Sequence, residues 1–185
     1  MTFPFVLLAF AALAAVVALL FLVPVLRDAH DKRLVGCPET KRPAAVTLDG
    51  FRALVAIFRR EPGRLRLAEC SRWPERAGCG QECLREVERD GEACLVRNLV
   101  ADWYKGRSCA FCWKPVADVK WSEHRPALLA PDGTTVSWTD VRPEKLPDLF
   151  STHDPVCWDC HVVQSVVRER PDIVTVRPKR EHLYS

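Results

Sequence analysis

The first 26 residues contain no charged side chain, and the first charge is Arg27. From Phe3 to Leu26 the chain reads FPFVLLAFAALAAVVALLFLVPVL. Some twenty apolar residues, at about 1.5 Å of helix each, match the hydrocarbon core of a bilayer. Such a segment has to be helical, because lipid offers no partner to an exposed backbone N–H or C=O. A cleaved signal peptide would instead carry a basic start and an apolar stretch of roughly 7–15 residues. This segment has no Lys or Arg, its apolar run is longer, and only an alanine-rich stretch resembles a cleavage site. The expectation is a transmembrane anchor over residues 1–26.

Charge sets the expected orientation. Nothing basic precedes the apolar run, whereas Arg27, Lys32, Arg33, Lys41 and Arg42 follow it. A Lys/Arg excess marks the cytoplasmic flank, so the remainder is expected in the cytoplasm, with an extracytoplasmic domain as the alternative. Residues 27–185 are enough for one or two small domains. With 27 basic and 24 acidic residues in the chain, no field of one sign favours nucleic acid, and no such partner is expected. The tail 177–185, with Arg177, Lys179 and Arg180, reads as a solvated end.

Nine cysteines, at 37, 70, 79, 83, 94, 109, 112, 157 and 160, all lie beyond the apolar run. An odd number does not make a fully paired disulfide framework. In a reducing compartment, clustered thiols point to metal or catalysis. Cys109-Ala-Phe-Cys112 and Cys157-Trp-Asp-Cys160 are two chelating pairs of identical spacing. Four thiolates close the tetrahedron of a structural Zn²⁺. The first pair is followed by a hairpin signal, Ala127 to Ala130, the turn Pro131-Asp132-Gly133, then Thr135 to Trp138. The second pair opens a helical pattern from about Asp159 to Arg168, closed by Pro171. Knuckle, hairpin and ligand-bearing helix in that order resemble the treble-clef zinc module over about residues 107–170.

Two other chemistries use the same residues. Cys157-Trp-Asp-Cys160-His161 matches the c-type haem motif, with two thioether links and an axial imidazole. That reading needs an oxidising compartment, has no methionine but Met1 for a sixth ligand, and leaves Cys109 and Cys112 without a role. A thiol–disulfide oxidoreductase through Cys109/Cys112 would want the pair at a helix N-terminus, where the dipole lowers the thiol pKa. Here Trp113-Lys114-Pro115 follows instead. A second Cys₄ set, Cys37, Cys70, Cys79 and Cys83, is open to zinc, an iron–sulfur cluster or plain buried thiols, with Cys94 a small hydrophobe on the next helix. His124 and His153 read as surface histidines. No Ser-His-Asp arrangement, phosphate loop or His-Glu-x-x-His helix is present, so catalysis is not expected.

The stretch CSRWPERAGCGQECL, then CLVRN and PVCWDCH, resembles a group of uncharacterised bacterial membrane-anchored proteins from about Cys37 to Pro178. The resemblance implies a single-pass protein with a cysteine-rich domain and implies no activity.

The expected fold class is α+β, with the N-terminal helix followed by short strands, a hairpin and several helices. Strands are expected at 44–48, 64–68 and 115–121. Helices are expected from Phe51 through Phe58 up to Pro62-Gly63, and over 81–88, 92–104, 143–150 and 159–168. Cys79 and Cys83 would share one face of the 81–88 helix, and Val162, Val163, Val166 and Val167 would supply apolar surface for burial. Six tryptophans are expected to thicken a thin core. The modules are drawn at 27–106 and 107–176. The function expected is a membrane-anchored zinc module that tethers a protein partner. If it is right, the four sulfurs lie about 3.5–4 Å apart. Widely separated sulfur pairs, or a cavity of haem size beside His161, would contradict it.

Overall fold

The computed structural model of the chain describes residues 3–59, 65–73, 75–76, 78–116, 118–119, 121 and 123–171. It is an α+β fold in two compact units. One unit is the segment up to Val100 together with Arg142–Leu146; the other is Ala101–Val141 and the segment from Pro147 onward.

The first unit begins with α1, Phe3–His30, four residues longer than the apolar run and continuous through Pro24. By length and composition it can cross a membrane, and most of the large apolar side chains described along it are exposed, Leu20 by 68% and Phe21 by 72%. A core helix of the same composition would be buried. Its last turn behaves differently: Ala29 is buried with Val35, Val46 and Leu48. Strand β1, Arg33–Gly36, pairs antiparallel with β2, Pro43–Leu48, which pairs with β3, Leu67–Cys70. Strand β1 lies between the apolar run and the first expected strand, 44–48, where the sequence predicts none. Arg33 explains why it holds there. This buried guanidinium donates to the Asp28 carbonyl at 2.7 Å, the Asp28 carboxylate at 2.7 Å and the Asp31 carbonyl at 3.2 Å. A cation on the orphan carbonyls at a helix C-terminus stabilises that end. Arg97 adds a second ion pair to Asp31.

Helix α2, Gly50–Arg59, follows β2 as the periodicity predicts; Pro62-Gly63 lies outside the described residues. The third strand sits later than the alternating RLRLA pattern suggests. The ladder pairs Leu48 with Leu67 and Val46 with Cys70 across an irregularity at Thr47/Leu48. Helix α3 spans Leu84–Asp90 and α4 spans Val96–Tyr104, both starting three to four residues later than expected. Gln81 takes φ 56, so the chain is still turning there, and Leu95 is committed to a bridge with Arg33.

In the second unit, β4, Ala127–Leu129, lies between β5, Thr135–Val136, and β6, Asp154–Val156. The hairpin turn is held by the Asp132 carboxylate, which accepts from the Thr134 N–H at 2.9 Å and hydroxyl at 2.7 Å, while Gly133 supplies φ 84. Strand β6 is too short and proline-interrupted to announce itself in sequence. Conversely, the described part of 115–121 forms no strand beyond a single bridge from Pro115 to Ser108. Helix α5 is Leu146–Thr152 and α6 is Trp158–Glu169. The four valines of α6 are 38–57% exposed, so the burial expected of them is not met among the described residues.

Trp103, Tyr104, Trp138 and Phe150 form the aromatic core of this unit, Trp103 stacking on Phe150 at 5.4 Å. The buried Tyr104 hydroxyl donates to the Ala127 carbonyl at 2.5 Å and accepts from Trp138 Nε1 at 3.1 Å. Burial pushes its pKa up, so it remains a donor. Tyr104→Phe leaves both partners short of a bond and should cost about 1–3 kcal/mol. The shift of the urea midpoint at unchanged m-value measures it.

Candidate metal centre

The Cys109 turn is built by backbone bonds. Cys109 N–H donates to the Lys114 carbonyl at 2.9 Å, and Trp113 N–H returns to the Cys109 carbonyl at 2.9 Å. Trp113 takes φ 61, the left-handed conformation that lets the chain reverse so tightly. One residue further out, Ser108 bridges Pro115. This conformation turns the Trp113 ring outward, 79% exposed, so unlike Trp103 it adds nothing to the core.

A second bond aims this turn at its partner. Ala110 N–H donates to the Pro155 carbonyl at 2.8 Å, two residues before Cys157. Cys157 is extended at the N-cap of α6, and its carbonyl accepts from the His161 N–H at 3.0 Å. Cys160 therefore falls in the first helical turn, beside Cys157. The outcome is one cluster: the ligand atoms of Cys109, Cys112, Cys157 and Cys160 all lie within 4.8 Å of one another. Cys112 Sγ and Cys157 Sγ, from opposite pairs, are 3.7 Å apart. A tetrahedron with metal–sulfur bonds of about 2.3 Å has edges of about 3.8 Å, so the cluster fits a tetrahedral ion of zinc size.

The electrostatics favour anions here. Cys109 is fully buried, and burial opposes its ionisation. The backbone N–H groups of Cys112, Cys157 and Phe111 outweigh that cost and bring the thiol down to about 6. Burial first, then the other three sulfurs, push Cys160 above the ordinary thiol range; burial also raises Cys157, helped by the Cys109 and Cys112 sulfurs and opposed by the Cys160 donors. One negative charge is welcome in this cluster, and further ones require a cation.

His161 faces away from this role. Its Nδ1 lies 3.0 Å from the hydroxyl of buried Thr135 on β5, a contact with no signal in the sequence. Burial, then the Arg168 charge, lowers its pKa. His124 is exposed, with its ring against Trp158, and His153 bonds the Thr152 hydroxyl at 2.8 Å.

In the first unit, Cys37, Cys70, Cys79 and Cys83 line one cavity of about 30 Å³. Cys79 and Cys83 do not share a helical face, because α3 begins only at Leu84 and Cys83 is its N-cap. Cys94 is a small buried core residue, its Sγ 4.0 Å from the Glu86 carbonyl, but it stands before α4, which begins at Val96, and not on that helix as expected. Comparison with known protein families, curated proteins and solved structures finds no match, so the chemistry rests on this geometry alone.

A metal bound by four thiolates must displace every proton beyond the one that the cluster already favours losing. Metal affinity should therefore rise with pH, by about tenfold per unit for each proton released, hence about a thousandfold per unit between pH 7 and 8 for three. Chelator competition at the two pH values measures the slope.

Proposed function

We propose that this chain is a membrane-anchored zinc module in which Cys109, Cys112, Cys157 and Cys160 hold one structural Zn²⁺. The observation that carries the reading is the convergence of the four ligand atoms within 4.8 Å of one another. A closed set of four thiolates leaves no open position for substrate or water, which fits structure better than catalysis. Zinc is preferred because it takes four thiolates in a tetrahedron and needs no redox partner. The role that follows is to keep a folded surface at the membrane and hold a protein partner there.

The anchor in this reading is α1. Arg27, Lys32, Lys41 and Arg42 are exposed around its C-terminal end and support a cytoplasmic domain. Arg33 no longer counts toward that flank, since it is spent on the carbonyls of α1.

Zinc binding at such a site is folding free energy, on the order of 10 kcal/mol. Cys112→Ser and Cys160→Ser should each lose this zinc and melt the second unit, read by elemental analysis and near-UV circular dichroism. His161→Ala should keep the metal, since its ring is turned to Thr135. A reporter fused after Ser185 should be active in its cytoplasmic form, and activity only of the exported form would reverse the orientation.

A further inference from the structure

The turn that presents Cys109 occurs twice in this chain. At Cys37, the Cys37 N–H donates to the Arg42 carbonyl at 2.9 Å, and the Lys41 N–H returns to the Cys37 carbonyl at 2.8 Å. These are the same two bonds, at the same offsets, as Cys109 to Lys114 and Trp113 to Cys109. Lys41 takes φ 53 where Trp113 takes φ 61. Gly36 pairs with Pro43 as Ser108 pairs with Pro115. In sequence the segments are GCPETKRP and SCAFCWKP, alike in the leading cysteine, the basic residue and the closing proline. A non-glycine residue at positive φ is uncommon. Finding one at the same place in two such turns argues for one purpose, the presentation of a thiolate.

The difference between the turns lies at the second ligand. Thr40 stands where Cys112 stands, and its buried hydroxyl lacks a partner at hydrogen-bond distance. Cys70 at the end of β3 supplies a sulfur that this turn does not. Cys79 and Cys83 complete the set just before α3, and all four line the same cavity. The elements of the other site are thus present, a knuckle on one side and cysteines at a helix start on the other, but these four sulfurs are not gathered within 4.8 Å of one another as the other four are, so the ion would have to draw them in.

We infer that Cys37, Cys70, Cys79 and Cys83 hold a second Zn²⁺ in the first unit. The cavity of about 30 Å³ exceeds what a water molecule needs, so an ion smaller than water fits. Arg72 and Arg76 line the same cavity, as do Glu39 and Glu82. The Arg72 N–H already reaches the Cys70 sulfur at 3.5 Å.

The test is metal stoichiometry on the full chain, purified in detergent without added metal. Two zinc ions per chain are expected. Cys83→Ser and Cys160→Ser should each retain one, and the double variant none. One zinc that is lost with Cys160→Ser and kept with Cys83→Ser overturns the second site and leaves the first. The reverse pattern overturns the first site and leaves the second. Iron with inorganic sulfide that depends on Cys83 overturns the assignment of zinc. Because a serine variant can fail to fold, the unaltered chain supplies an independent readout. Iodoacetamide should leave Cys37, Cys70, Cys79 and Cys83 unlabelled until a chelator is added, as seen by peptide mass spectrometry. Labelling of the four at equal rates with and without chelator, or a disulfide among them, overturns the inference.

Discussion

Everything in the second unit turns on bringing together two short cysteine turns that lie 44 residues apart in the chain (113–156). Closing a flexible loop of that length costs about 3 kcal/mol beyond a constant. The apolar cluster at the junction is small, with Cys109, Ala127 and Val156 as its buried members. In the proposed reading, a zinc–thiolate site on the order of 10 kcal/mol exceeds that cost. The protein prepares the junction with one backbone bond, from Ala110 to the Pro155 carbonyl, which joins the first turn to β6 just ahead of the second. Strand β6 in turn pairs with β4, so the hairpin between the motifs serves as the template that returns the chain to its first cysteines.

The first unit is organised around a different constraint, the end of an apolar helix. Helix α1 leaves its last carbonyls without intrahelical partners, and Arg33 supplies them from the first residue of β1. Ala29 closes the turn into the core, and Gly50 lets α2 approach: a Cβ there would stand 3.1 Å from Leu26 Cδ2. The apolar helix therefore does not end in a loose tether, because its final turn is part of the folded unit that carries Cys37. In the proposed reading, the domain is held at the membrane by packing as well as by covalent connection.

Much of this was legible, and what was not has definite causes. The apolar helix, the hairpin and α6 announce themselves through composition, turn chemistry and periodicity, and the Cys109 and Cys157 pairs through shared spacing. Strands β1 and β6 were missed because each is only three or four residues long, and β6 draws its stability from a partner remote in sequence, Ala127 to Leu129. The late start of α3 follows from Gln81 at positive φ, which no propensity scale flags for glutamine. The exposed valines of α6 carry helical periodicity, but periodicity identifies a face and does not provide something to cover it. The likeness of the Cys37 and Cys109 turns was the hardest to read. With threonine in place of the second cysteine, the spacing signal is gone and only the backbone bonds remain.

In the proposed reading, four sulfurs and no histidine surround a zinc ion held by Cys109, Cys112, Cys157 and Cys160. X-ray absorption at the zinc edge of the Cys83→Ser protein measures that shell directly. Four sulfur scatterers at about 2.3 Å and no light-atom shell are expected. A shell containing nitrogen at about 2.0 Å would bring His161 into the site, and a zinc-free protein with covalent haem at Cys157 and Cys160 would overturn the zinc reading altogether.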